Sequence, residues 1–304
     1  MRVAAIDCGT NSLRLLIADI DGANFRELHR EMQVVRLGQG VDMNRAFAPE
    51  AIERALATTA HYADIVRSKG VERIRFVATS ATRDASNRDL FINGVTDILG
   101  IKPDVISGDE EASLSFRGAT KELGRELAPF LVVDIGGGST EFVLGEQEVN
   151  AARSVNIGCV RMAERHLTAQ PPSREQYEAA IVDIDKAIAS AALSVDFSQA
   201  QTLIAVAGTA TTVAAAALEL SEYDRYSIHL SRISAKKVEE VATKLAAMSR
   251  AEISSLGFMH PGRVEVITAG SLILSRVMAL TGAEEFVASE SDILDGIAWD
   301  LAKI

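Results

Sequence analysis

The sequence is poor in the features that define several large classes of protein. Only two cysteines occur in 304 residues, Cys8 and Cys159, far apart and outside any Cys-x-x-Cys pair. A disulfide framework and a zinc cage are therefore excluded, and a reducing compartment, the cytoplasm, is expected. The five histidines show neither metal-ligand spacing nor a His-Glu-x-x-His motif. No apolar run approaches the roughly 18–20 residues of a membrane span. The apolar run Val3-Ala4-Ala5-Ile6 meets Asp7 too early for a signal-peptide core. Nor is there an excess of positive charge: 31 Lys and Arg stand against 42 Asp and Glu, net −11. That balance argues against nucleic acid and against an anionic membrane as partner.

What is present suits a folded enzyme-sized chain. Apolar residues make up 48% and charged residues 24%, both near globular averages, and the length allows one large domain or two ordinary ones. The charge is unevenly spread: residues 1–125 carry 17 basic and 18 acidic side chains, residues 126–304 carry 14 and 24. Arginine supplies 23 of the 31 basic residues, and its planar fork matches phosphate and carboxylate.

Periodicity predicts strands over Arg2–Asp7, Ser12–Asp19 and Phe25–Arg36, then a helix from Pro49 to about Lys69 with Ile52, Leu56, Ala60 and Ala63 on one face. A buried strand Ile74–Ala78, a helix from Asn87, a strand Pro103–Ile106 and a helix from Asp109 to about Leu123 follow. Gly124–Pro129 reads as a linker, which places domains at 1–125 and 126–304, the last helix able to pack back on the first. Beyond it come strands Phe130–Asp134, Thr140–Leu144 and Gln147–Val155. Helices then dominate, at Ser173–Ala192, Thr209–Leu220, Ala235–Ala247, Arg263–Thr281 and Asp292–Leu301, with one strand, Thr202–Ala207, among them.

The chain begins twice. Val3-Ala4-Ala5-Ile6-Asp7-Cys8-Gly9-Thr10-Asn11-Ser12 matches Leu131-Val132-Val133-Asp134-Ile135-Gly136-Gly137-Gly138-Ser139-Thr140 in pattern, at a spacing of 127 residues. Each is an apolar strand ending in Asp-x-Gly, a small polar turn and a second apolar strand. Seven residues past each Asp stands a charged residue whose sign differs between the copies, Arg14 in one and Glu141 in the other. Two related α/β domains facing across a cleft are expected.

The second copy carries the strongest chemical signal. Three glycines in succession leave backbone N–H groups unobstructed and able to turn inward around an anion. Ser139 and Thr140 add hydroxyls, while Asp134 and Glu141 can hold a divalent cation or its waters. Arg83 follows a buried strand and so lies at a strand's C-terminal end, where α/β sites form; an ordinary surface pair with Asp84 explains it equally well. Gly108-Asp109-Glu110-Glu111 opens a helix with three acids. These either complement the helix dipole or include a general base for water. Gly208-Thr209 joins a strand to a helix, as an anion-binding turn or as plain architecture. His260–Arg263 and Ser289–Asp292 read as caps and turns.

In order along the chain, seven segments resemble the exopolyphosphatase/guanosine pentaphosphate phosphohydrolase family, within the superfamily of actin, chaperone ATPases and sugar kinases. They are Asp7–Arg14, Thr79–Asn87, Val105–Ala112, Asp134–Glu141, Ala207–Thr209, Arg263–Gly270 and Ser289–Gly296. The resemblance implies an α/β fold of two actin-like (ribonuclease H-like) domains related by internal duplication, with an interdomain cleft. It implies Mg²⁺-assisted (or Mn²⁺-assisted) hydrolysis of a terminal phosphoanhydride of inorganic polyphosphate or guanosine pentaphosphate, in a homodimer. Glu111 is then the catalytic base, with Asp134 and Glu141 as catalytic and metal carboxylates and Asp7 as a further metal ligand. Gly136, Gly137, Gly138, Ser139 and Thr140 would grip the terminal phosphate, with Thr10, Asn11, Ser12, Arg14 and Arg83 from the first domain and Gly208 and Thr209 at the later turn. Larger members add C-terminal helical domains, so this shorter chain is expected to prefer short polyphosphate. A kinase relative and a non-catalytic polyphosphate or alarmone sensor are the rival readings.

Overall fold

Aliphatic and β-branched runs punctuated by glycine build two mixed sheets. In the computed structural model, which describes residues 1–302, the first sheet holds β1 (Arg2–Cys8), β2 (Ser12–Asp21), β3 (Asn24–Val34), β4 (Arg73–Ala78) and β5 (Asp104–Val105) in the order β3-β2-β1-β4-β5. β1, β2 and β3 run antiparallel as a meander, whereas β4 joins β1 and β5 joins β4 in parallel. The second holds β6 (Phe130–Ile135), β7 (Thr140–Gly145), β8 (Val149–Val155), β9 (Thr202–Val206), β10 (Arg232–Ser234) and β11 (Glu285–Ala288), ordered β10-β11-β9-β6-β7-β8. Its β8-β7-β6-β9-β11 portion repeats the order and directions of the first sheet, with β10 added antiparallel at the edge. The repeat seen in the hairpin sequences therefore extends to whole sheets.

The chain divides into two compact units, Met1–Gly118 with the segment that begins at Ile293, and Ala119–Asp292. In the first, alternate residues of one strand serve two cores. Ala4, Ile6, Leu13, Leu15 and Ile17 face a cluster with Tyr62, Phe76 and Phe91. Val3, Ala5, Leu16 and Ala18 face Ile293, Leu294, Ile297 and Ala298 of the helix Ile293–Leu301. Both faces are covered, which is why β1 reads as a continuous apolar run up to Asp7. The helix comes so close that a Cβ on Gly296 would strike the Leu114 backbone. Leu114 belongs to the helix Gly108–Thr120, so this packing also seats the acidic helix.

Some local expectations shift. The helix Pro49–Ser68 buries Ala51, Ile52, Ala55, Thr59, Tyr62, Ala63 and Val66, while Ala60 faces solvent. β10 and β11, of three and four residues, lie outside the expected strands because such short strands show no period. The helices Ser80–Asp84 and Cys159–Arg165, of five and seven residues, are likewise too short to show a period. No helix among the described residues is long and apolar enough to cross a membrane.

In the second unit, the Glu122 carboxylate accepts from His229 Nε2 at 3.2 Å and from Ser291 Oγ at 2.9 Å. The His229 bond, with help from Ser291 and nearby positive charge, holds its pKa below the ordinary glutamate value despite partial burial. A lowered folded pKa means that the stabilisation is complete above the unfolded value, about 4.3, and lost as pH falls through the folded one. Urea midpoints for the wild type and Glu122→Gln are expected to differ at pH 7 and to converge toward pH 3. Parallel curves at all pH values would remove this role.

Candidate functional site

Each unit carries one glycine hairpin, and the two turns close alike. Gly9 N–H donates to the Ser12 carbonyl at 3.0 Å, and Gly136 N–H donates to the Ser139 carbonyl at 3.0 Å. Below each turn the hairpin register sets the charged residues opposite one another, Asp7 across from Arg14 and Asp134 across from Glu141. Directly paired residues on antiparallel strands share a face with Cβ atoms about 4.5–5.5 Å apart. The seven-residue spacing noticed in the sequence is therefore a cross-strand pair.

In the second unit the glycine carbonyls are all taken from one side. Cys159 N–H donates to Gly136, Val160 and Arg161 N–H to Gly137, and Arg161 Nε to Gly138, at 2.7–3.1 Å. These peptide bonds are trans, so each following N–H points opposite to its carbonyl. The N–H groups of Gly137, Gly138 and Ser139 consequently face away from the helix Cys159–Arg165, as an anion nest does. Gly136 and Thr140 differ from expectation. The Gly136 N–H is spent closing the turn, and the fully buried Thr140 donates its hydroxyl to the Ile157 carbonyl at 2.8 Å. Both build the hairpin rather than present a donor to phosphate.

Gly158 explains why the turn sits so close to the helix. A Cβ there would run into the Gly137 carbonyl and the Gly138 nitrogen, both backbone atoms that no rotamer change can move. Gly158→Ala is expected to displace the turn, at about 1–3 kcal/mol in stability. A displacement near 1 Å costs about 10²-fold in rate. Thermal melts with phosphate-release rates check this; unchanged turnover would show that the turn tolerates the shift.

The first hairpin is arranged on the same principle. The Asn11 carbonyl accepts from Val35 and Arg36 N–H, and the Thr10 carbonyl from Gly38 N–H, at 2.8–3.0 Å. The N–H groups of Asn11 and Ser12 thus point the other way. Thr10 is buried, with Oγ1 3.0 Å from Ser80 Oγ, and a Cβ on Gly38 would collide with its methyl group. Arg14 donates from Nε and Nη2 to Asp7 Oδ2, at 3.0 and 2.7 Å.

The three acids of the helix Gly108–Thr120 separate by exposure. Ser107 caps the helix through its side chain, accepting from Glu110 N–H at 3.2 Å. Asp109 and Glu110 are exposed, and Glu110 pairs with Arg75 at 2.6 Å. Glu111 is turned inward, 8% exposed, and Arg83 Nη1 holds its Oε2 at 2.7 Å while also donating to the Ile106 carbonyl at 2.9 Å. Arg83 lies on the helix Ser80–Asp84 directly after β4. It is an anchor for Glu111, neither a loose surface side chain nor one paired chiefly with Asp84.

Carboxylates suited to a divalent cation occur as a pair. Glu141 is 1% exposed and accepts from Ser154 Oγ at 2.6 Å; Asp134, its cross-strand partner, is buried as well. Two buried carboxylates on one face fit Mg²⁺, which takes one or two carboxylates and completes its shell with water and substrate oxygens. Asp7 fits less well, because Arg14 neutralises it. Among the described residues no group of three or more His, Cys, Asp or Glu side chains is placed to hold a metal. Asp7, the further metal ligand that the resemblance implies, lies on the first unit with its Oδ2 held by Arg14.

At the later turn, Ala207 adopts φ 64°, a left-handed conformation that costs an L-residue about 1–2 kcal/mol. Gly208 follows, and its carbonyl accepts from Arg263 Nη1 at 2.9 Å and Thr212 Oγ1 at 2.6 Å. The guanidinium lies where a Gly208 side chain would be. Arg263, read from sequence as part of a cap, thus reaches Gly208, while His260 caps through Nδ1 to Gly262 N–H. Thr209 is buried and bonds the Cys159 thiol. Beside the turn Tyr223 donates to Glu290 at 2.5 Å, and burial raises the Tyr223 pKa to about 12 and that of Glu290 above the usual range. Burial also raises the Cys8 and Cys159 thiols, which are therefore unreactive at neutral pH.

Ser154, Gly158, Gly38 and Arg161 carry no motif, and only their partners in space reveal them. Two mixed sheets of repeated order define an α/β protein of the actin-like two-domain class. The chain belongs to the Ppx/GppA phosphatase family, whose model matches residues 16–303. It is 46% identical to exopolyphosphatase 2 of Mycobacterium tuberculosis, over 99% of this chain and 98% of that protein. A solved exopolyphosphatase-like protein superposes with TM-score 0.95 at 44% identity, covering 99% of this chain and 98% of the other. An exopolyphosphatase from Cytophaga hutchinsonii gives 0.91 at 26% identity, over 98% and 97% of the two chains.

Proposed function

We propose that this protein is an exopolyphosphatase, which releases terminal orthophosphate from linear inorganic polyphosphate by attack of water. The single observation that carries the reading is the second hairpin, where inward amides stand above a buried carboxylate pair. Full-length similarity to exopolyphosphatase 2 of Mycobacterium tuberculosis supports it. Phosphoryl transfer needs positioning and charge neutralisation more than covalent help.

The amides of Gly137, Gly138 and Ser139 hold the terminal phosphate and fix its orientation. Those of Asn11 and Ser12, with Arg14, hold phosphate from the first unit. Glu111, held by Arg83, takes the proton from the attacking water. Asp134 and Glu141 would hold the cation and, through it, water. Mg²⁺ (or Mn²⁺), when bound, neutralises charge on the phosphate oxygens. The homodimer, which rests on the resemblance, and the cytoplasmic location, which rests on the two unpaired cysteines, belong to the same proposal.

The test is free phosphate released by purified protein and Mg²⁺ from tripolyphosphate, longer polyphosphate, guanosine pentaphosphate or ATP. Release from polyphosphate is expected. Release from guanosine pentaphosphate alone would move the substrate to the nucleotide, as named for a Photobacterium profundum relative at 29% identity. Release from none would favour a binding protein.

A further inference from the structure

Arg161 has no part in the mechanism above, yet it is 7% exposed beside the glycine turn. Burying a guanidinium is costly unless its donors are met. Its Nε donates to the Gly138 carbonyl at 2.7 Å, and its own backbone N–H donates to the Gly137 carbonyl at 3.1 Å. One residue thus fixes two successive peptide groups of the turn, the second through its side chain.

The second of these is the peptide most in need of fixing. Backbone N–H groups of the helix Cys159–Arg165 hold the Gly136 and Gly137 carbonyls, but the carbonyl of Gly138 is held by a side chain. Glycine places little restraint on the peptide that follows it. If the Gly138–Ser139 peptide turned over, a carbonyl oxygen would face the anion in place of the Ser139 N–H, and attraction would become repulsion. We propose that Arg161 is a positioning residue for phosphate: by fixing the Gly138 carbonyl it aims the Ser139 N–H at the terminal phosphoryl group. This rests on the functional reading above. A merely space-filling role would be met by methionine, which has the length but no donor.

The test compares Arg161→Met and Arg161→Lys with the wild type in two ways. Removing one preorganised donor typically lowers kcat about 10²–10³-fold. Arg161→Met is expected to lose phosphate release from tripolyphosphate by about that factor. Arg161→Lys, which keeps one charged donor, is expected to recover at least tenfold of it. The second readout is the backbone amide spectrum of ¹⁵N-labelled full-length protein during titration with tripolyphosphate. In the wild type the Gly137, Gly138 and Ser139 amides shift; in Arg161→Met the Ser139 shift is lost while that of Gly137 remains. Should Arg161→Met fail to fold, Arg161→Lys is read against the wild type, with a reduced Ser139 shift expected.

Turnover of Arg161→Met within threefold of the wild type, or an unchanged Ser139 response, overturns the inference. So does the absence of any turn response in the wild type. If the wild type hydrolyses none of the substrates yet the Ser139 response still depends on Arg161, the exopolyphosphatase reading falls and this inference stands.

Discussion

Glu111→Gln is expected to lose phosphate release from tripolyphosphate by about 10²–10⁴-fold, the usual contribution of a positioned general base, while still binding the substrate. The substitution isolates the proton-accepting group. Glutamine keeps the volume of a side chain that is 8% exposed, and its amide oxygen can still accept from Arg83, which holds Glu111 Oε2 at 2.7 Å. The fold of the helix Gly108–Thr120 should therefore survive, because its cap at Ser107 and its packing under Gly296 are untouched. Initial rates, with tripolyphosphate affinity from calorimetry, separate chemistry from binding. A variant with near-normal turnover would take the base role from Glu111. Arg83→Ala is a poorer probe, since it leaves a buried carboxylate without its cation and mixes stability with catalysis.

The second large effect is expected at the carboxylate pair. Glu141→Gln keeps shape and the hydrogen bond from Ser154 but leaves Asp134 as the one charged member. A cation contributes several kcal/mol of charge stabilisation in such reactions, so a loss of about 10²-fold or more is expected. The half-saturating Mg²⁺ concentration should rise, and raised Mg²⁺ should restore part of the rate. Activity measured from micromolar to 100 mM Mg²⁺ decides this. Equal Mg²⁺ dependence in variant and wild type would remove Glu141 from the metal site. The paired substitution Asp7→Asn discriminates further: Asp7 is engaged by Arg14, so its loss should alter phosphate affinity more than Mg²⁺ dependence.

The charge count also gains a physical meaning. An acidic chain is a poor generic binder of polyanions, yet the proposed site works at a smaller scale. In the proposed mechanism backbone amides and Arg14 would face the phosphate, and the acidic groups would be consumed in holding a cation, an arginine or a helix end. Glu110 holds Arg75 and Asp109 stands exposed on the first turn of the same helix; Glu111, one residue on, has rotated out of solvent. A helix turns 100° per residue, so the residue that faces inward depends on what the helix packs against, which no local pattern states.

The sequence by itself determined the hairpins, their repetition and the pairing of Asp7 with Arg14 and Asp134 with Glu141. A tight turn couples register to residue count, so spacing along the chain becomes adjacency in space. Long apolar runs likewise announced β1 and β6, because strands covered on both faces must be apolar throughout. Tertiary structure alone decided which acid is buried, and that Arg83 holds Glu111, Ser154 holds Glu141, Arg161 holds Gly138 and Arg263 lies on Gly208. It also carried the helix Ile293–Leu301 back to the first unit. These partners lie on different elements, and their meeting depends on packing of whole sheets and helices. Side-chain reach and burial at the end of folding, rather than any periodicity along the chain, select them.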